Sequence, residues 1–303
     1  MLIATLPPVH HEELLEGIIA HPAVAAVRYN TGIDSPYSPK ETLARALKHA
    51  WRHKKPLYVD LKGRQLRITE WATLPFGPIL LNHRIKVSLP ARILFRGDDA
   101  CEIKKVVGGR KIYVEPLPKY PVGRGQSVNI LADNLEIREN LTEKDYGYIE
   151  SAIAFGINKF MLSFVESWEY VKEVEKALGI RKRELVLKIE SEAGVELVRQ
   201  AGRRQLKRYR LMAARDDLMI QIGGLNMLDT LALIAKKDSE AICASRLLLG
   251  FEQGGGAAMA DISDLRLMEN LGYRHFMFSD GLSRKCFREA AEFWQKYQAA
   301  YPK

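Results

Sequence analysis

Cysteine is scarce: Cys101, Cys243 and Cys286 are the only three in 303 residues, and no two form a Cys-x-x-Cys pair. That excludes a disulfide-stapled scaffold and suits a reducing compartment. No segment approaches the ~18 uninterrupted apolar residues of a membrane-spanning helix, so no membrane contact is expected. The apolar start Leu2-Ile3-Ala4 has no basic residue before it, and Pro7-Pro8 cut it short, which does not suit a secretory signal. A cytoplasmic location is the expectation. No Gly-x-Gly-x-x-Gly follows the first strand-like segment, so the usual opening of a dinucleotide-binding sheet is missing.

What is present describes a packed globular chain. Apolar residues make up 47% and charged residues 27%, which excludes disorder and collagen-like repeats. Lys and Arg total 46 against 37 Asp and Glu, a formal charge of +9 that suits anionic partners such as phosphorylated metabolites, nucleotides or nucleic acid. The basic run from Arg203 to Arg208 reads either as a nucleic-acid patch or as a solvated helix end. The second reading is the simpler one, so the expected partner is a small anionic substrate and not nucleic acid.

Short apolar runs rich in β-branched residues alternate with amphipathic stretches, the pattern of βα units. Strands are predicted at 2–5, 25–29, 57–60, 159–163, 185–189, 210–213, 241–244 and 275–278. Helices are predicted at 12–19, 40–51, 143–154, 167–178, 194–201, 228–235, 262–271 and 285–297. Eight of each predict an α/β fold, a (β/α)8 TIM barrel. One stretch breaks the rhythm: 68–133 has no helical period, but β-like pieces at 85–88, 92–95, 111–114 and 128–131, with turns at Gly97-Asp98, Gly108-Gly109 and Gly123 to Gly125. The expectation is a small all-β domain, 68–133, inserted after strand 3 of a barrel built from 1–67 and 134–303. Such an insert would overhang the C-terminal rim, where barrel active sites lie.

Polar residues at that rim are Arg28 and Asn30, Asp60 and Lys62, Lys188 and Glu190, Asp217 and Ser245. Alternation along a strand puts Lys188 and Glu190 on one side, facing the barrel mouth. Glu190 and Asp217 could offer carboxylate oxygens to Mg2+ or Mn2+; the competing reading is a plain Lys–Glu ion pair. Other features have simpler explanations. His10-His11 and Glu12-Glu13 read as a helix start, Gly254-Gly255-Gly256 as a loop, and His275 as core.

The order of these residues resembles the pyruvate kinase family. Arg28-Tyr29-Asn30 is similar to its Arg-x-Asn, and Asp60-Leu61-Lys62-Gly63 with Arg67 to its Asp-Thr-Lys-Gly-Pro-Glu-Ile-Arg. Lys188-Ile189-Glu190 resembles Lys-Ile-Glu-Asn, Ala214-Arg215-Asp216-Asp217-Leu218 resembles Ala-Arg-Gly-Asp-Leu, and Ile242-Cys243-Ala244-Ser245 resembles Ile-Cys-Ala-Thr. Weaker echoes occur at Ser127 to Asn129 followed by Leu141 to Asp145, similar to the segment that leaves the family's inserted domain, and at Ala260 to Leu265.

The resemblance implies a phosphotransferase acting on phosphoenolpyruvate or pyruvate, with ADP or ATP as co-substrate and glycolysis as the setting. It gives Arg28, Lys188 and Ser245 catalytic roles, and the substrate to these three with Asp216 and Asp217. Glu190 and Asp217 would hold Mg2+ or Mn2+, Asn30 and Asp60 a monovalent cation such as K+, and Arg67 with Lys62 the nucleotide. A homo-oligomer fits this class. The likeness runs to about Lys303, so a short member without the C-terminal regulatory domain is expected.

Departures point to other readings. Thr31-Gly32-Ile33 replace x-Ser-His-Gly, Gln65 replaces a Glu linked to potassium dependence, and Asp216 replaces a Gly that meets the substrate carboxylate. A lyase or aldolase-type enzyme of the wider phosphoenolpyruvate/pyruvate barrel group would keep the enolate residues alone. A non-catalytic sensor of phosphoenolpyruvate or a nucleotide is the third reading, which the retained Lys188 disfavours.

Overall fold

The computed structural model describes residues 1–97, 99–179 and 183–302; Asp98, expected in a turn, lies outside them. Eight parallel strands close into a barrel: β1 (Leu2–Thr5), β2 (Val24–Asn30) and β3 (Leu57–Leu61), then β11 (Lys159–Leu162), β12 (Glu184–Ile189), β13 (Arg210–Ala214), β14 (Ile242–Ala244) and β15 (His275–Met277). The chain is an α/β protein of the (β/α)8 barrel class. Each strand predicted from sequence is found within about two residues of its expected ends.

Between β3 and β11 lie seven further strands. β4 (Ile79–Leu80), β6 (Ala91–Phe95), β7 (Asp99–Val107), β8 (Lys111–Glu115) and β9 (Val128–Leu131) form an antiparallel sheet in the order β4-β8-β7-β6-β9. β5 (Ile85–Lys86) pairs with β10 (Glu136–Ile137). This sheet has its own apolar core around Ile79, Ile93, Phe95, Ile103 and Ile112. β7, its longest strand, was not expected. Its inward residues Asp99, Cys101 and Ile103 alternate with exposed ones, so charged residues dilute the apolar signal.

Alternation decides what fills the barrel. Ile3, Ala26, Tyr58, Met161, Val186, Met212, Ile242 and Met277, one from each strand, form an apolar plug inside it. Their outward neighbours, such as Leu2, Val27, Val59 and Leu187, pack beneath the helices. Two residues beyond each plug position, the same face reaches the C-terminal rim.

The helices carry local stop and start signals. Pro39–Arg52 begins with a reciprocal cap between Ser38 and Glu41. In the helix Glu143–Ala154, the capping pair Thr142 and Asp145 also serves the rim, because Asp145 Oδ1 accepts from the Lys62 backbone N–H at 2.9 Å. The helix expected at 285–297 is found as Phe287–Ala300, and a separate short helix, Asp280–Lys285, precedes it across Cys286. One expectation needs correction. His275 is not core: it sits half-buried at the opposite, N-terminal end of the barrel with Nε2 2.9 Å from Glu240 Oε2. Among the described residues no single helix is long and apolar enough to cross a membrane. Thr142→Ala is expected to lower stability by about 1 kcal/mol through loss of the cap, read from urea unfolding; an unchanged midpoint would contradict the capping role.

Candidate active site

Two residues beyond the apolar plug the barrel turns polar. Ile3 is followed by Thr5, Ala26 by Arg28, Tyr58 by Asp60, Met161 by Ser163, and Val186 by Lys188. Period 2 makes these five side chains a ring facing inward, and they bond to one another. Asp60, fully buried, is the centre. Its Oδ2 accepts from Arg28 Nε at 2.8 Å and Lys62 Nζ at 2.9 Å, with a second, closer contact from the Arg28 guanidinium. Its Oδ1 accepts from Ser163 Oγ at 3.3 Å and lies 3.7 Å from Lys188 Nζ.

Charge compensation sets the protonation states. Burial would push the Asp60 carboxyl up, but Lys188, Lys62 and Arg28 together hold it far below the usual carboxylate range. Burial likewise works against the Lys188 ammonium, and Asp60 with Glu190 overcomes it, so Lys188 stays charged. Lys62 lacks a second carboxylate in contact; burial pushes it down to about 7 despite Asp60. Arg28 is held cationic by Asp60 and by Asp280, whose Oδ2 is 3.0 Å from its Nη1.

One step higher, Lys188 Nζ lies 3.0 Å from Glu190 Oε1 and donates to Ser163 Oγ at 2.8 Å. Glu190 Oε2 accepts from the Phe164 N–H at 2.7 Å. Burial and the nearby charge of Asp217 push the Glu190 carboxyl up. Asp217 stands in the first turn of the helix Arg215–Ile222, which the sequence reading missed. The inserted sheet and its approach segment reach over to it: Asn129 Nδ2 donates to Oδ1 at 3.0 Å and Gln65 Nε2 to Oδ2 at 3.3 Å. Glu190, Asp217, Lys188, Arg28 and Ser245 all line one cavity of about 740 Å³.

Ser245 opens a strained turn. Ser245, Arg246 and Leu248 all have positive φ, at 65°, 55° and 52°, a conformation L-residues adopt at a cost. Arg246 Nη1 lies 3.6 Å from Asp216 Oδ1, and Asp216 is exposed at the cavity mouth.

The donor set suits a divalent cation. Among the described residues no group of three or more His, Cys, Asp or Glu could hold a metal ion. Glu190 and Asp217 remain as two carboxylates lining one cavity, the kind of site at which Mg2+ keeps several waters, and a cation between them would relieve the repulsion that raises Glu190. The surroundings of Asp60 do not suit a monovalent cation, because three cationic side chains already crowd its oxygens. Asn30 points its amide at Asp280 instead, 3.1 Å from Oδ2.

Arg67 sits between the barrel and the insert. Its Nε donates to Gln65 Oε1 at 3.0 Å, and Nη1 donates to the carbonyls of Gly32, at 3.2 Å, and Gly125. The guanidinium lies so close to Gly32 that a Cβ there would fall 2.4 Å from its Cζ, which accounts for glycine at this position. Thr5, Ser163, Asn129 and Asp280 belong to the site and were missed. Thr5 and Ser163 follow from carrying the period-2 count up β1 and β11. Asn129 lies in a segment that echoes the family, but its contact with Asp217 has no local signal, and Asp280 arrives from a helix start.

Comparison with known proteins gives the family. A sequence model described as "Pyruvate kinase, barrel domain" matches residues 83–268. The pyruvate kinase of Debaryomyces hansenii is 25% identical over 193 residues, covering 59% of this chain and 36% of that protein. That of Agaricus bisporus is 23% identical over 221 residues, covering 69% and 38%. Pyruvate kinase 1 of Trypanosoma brucei brucei is 27% identical over 131 residues, covering 41% and 26%. The chain thus spans well under half the length of these relatives. With the family model covering 83–268, more than half of the chain, the chain belongs to the pyruvate kinase family.

Proposed function

We propose that the barrel mouth binds a phosphoenolpyruvate- or pyruvate-type anion and stabilises its enolate, in a phosphotransferase of the pyruvate kinase type. The observation that carries this reading is the rim of β12. Lys188 and Glu190 lie 3.0 Å apart on one face, with Asp217 across the same cavity. Lys188, held charged, presents an ammonium where negative charge would develop on an enolate oxygen. Arg28 adds a second cation on the same wall, and Ser245 places a hydroxyl at the cavity edge. Glu190 and Asp217 would hold Mg2+ or Mn2+, which when bound supplies charge neutralisation to phosphoryl and enolate oxygens.

A second cavity, of about 600 Å³, adjoins the first between the insert and the helix Glu143–Ala154. Lys62, Arg67, Arg124 and Lys144 line it, cations that support ADP or ATP as co-substrate there. One observation favours a second reading, enolate chemistry of the lyase or aldolase type without a nucleotide. The Arg67 guanidinium is already committed to Gln65, Gly32 and Gly125, which leaves less of it to meet a phosphate.

A coupled assay with phosphoenolpyruvate, ADP and Mg2+ is expected to show pyruvate formation. No turnover, together with exchange of pyruvate methyl protons for deuterium by NMR, would support the second reading; neither signal would overturn both. Lys188→Ala is expected to lower whichever activity is found by about 100- to 1000-fold, the loss typical of a donor aimed at developing charge; near-normal turnover would remove its role. Glu190→Gln is expected to weaken Mn2+ binding by at least about tenfold, measured by electron paramagnetic resonance; an unchanged affinity would exclude Glu190 as a ligand.

A further inference from the structure

A third charged cavity lies at the other end of the barrel. The starts of β11, β12 and β13 and the turn before β14 enclose about 940 Å³. Eight Lys and Arg side chains line it against three carboxylates. This is where the basic run of Arg203 to Arg208 comes to rest.

The cations there divide into two groups. Lys159 and Arg210 pair with Glu184, Arg208 pairs with Glu175 at 3.2 Å, and Lys237 Nζ holds the carbonyls of Arg199 and Ala201 at 2.9 Å, so these are engaged within the fold. Arg203, Lys207 and Lys236 are exposed around the cavity and have no carboxylate partner among the described residues. Arg183 donates from Nη1 and Nη2 to the carbonyls of Ile157 and Leu178 at 3.2 Å, while its Nε is buried with no acceptor among the described residues. Leaving a buried charged donor unmatched is costly. An anion in the cavity would offset the repulsion among the free cations.

We propose that this cavity is a binding site for a compact, multiply charged phosphate compound, separate from the barrel-mouth site. Its volume lies in the range of small-molecule sites. A nucleic-acid strand would need open aromatic faces for its bases. The aromatic residue here, Tyr209, is half-buried, with Trp168 at 5.7 Å on its ring, Arg208 over it and its hydroxyl on Glu175.

Calorimetric titration with inorganic tripolyphosphate tests the site on the intact chain. Binding is expected at low salt and should weaken as salt rises. The double variant Arg203→Glu/Lys207→Glu should lose at least about tenfold in affinity, the worth of one charge-assisted phosphate contact, with its thermal midpoint checked in parallel. Lys236→Glu gives an independent reading should the double variant misfold. Lys188→Ala should retain the tripolyphosphate binding that the charge-reversed variants lose. Equal affinity in the charge-reversed variants, loss of binding in Lys188→Ala, or tighter binding of a 20-nucleotide RNA than of tripolyphosphate would each overturn the proposal.

Discussion

The carboxylate of Asp60, buried among Arg28, Lys62 and Lys188, is the constraint around which the C-terminal end of the barrel is arranged. A lone carboxylate at that depth would be protonated, and three unpaired cations would repel one another; together they tolerate burial because each supplies what the others need. The network also fixes geometry. Arg28 arrives from β2, Lys62 from beyond β3 and Lys188 from β12, and their shared partner makes them converge on one cavity. Thr5 and Ser163 complete the hydrogen bonding from β1 and β11.

Beneath the network, the apolar plug gives it a dry floor, which strengthens every interaction above it. The inserted sheet supplies the roof. Asn129 at the start of β9 and Gln65 on the approach to the insert both hold Asp217, so the position of one acidic wall depends on how the sheet sits over the rim. The Lys62 backbone is fixed by Asp145 from the following helix. The site is therefore built from four directions: strands below, insert above, and the starts of two helices at the sides.

Much of this was legible in the residues themselves. The eight strands announced themselves as short apolar runs, because parallel barrel strands are buried on both faces. Lys188 and Glu190 were readable as neighbours from alternation alone. The missed parts share a physical cause. Thr5 and Ser163 end their strands as small polar residues, unremarkable unless the inward face is followed up every strand. Asp280 looks like an ordinary acidic residue in a first helical turn, yet it pairs with Arg28, some 250 positions away in the chain. β7 carries so many exposed charges that its alternation was hidden. The exposed Asp216 could be recognised as a departure, whereas its pairing with Arg246 depends on a left-handed turn that no local pattern predicts.

Acid unfolding of Asp60→Asn beside the unaltered chain tests the central claim most directly. A carboxylate held below its ordinary pKa contributes stability that is fully present above the unfolded value of about 4 and is lost as pH falls below it. At pH 7 the variant should therefore be less stable by about 3–5 kcal/mol, the usual cost of breaking a buried ion pair, and the gap should narrow as pH drops below about 4. Equal stability of the two chains at pH 7, or a gap that does not change with pH, would contradict the account.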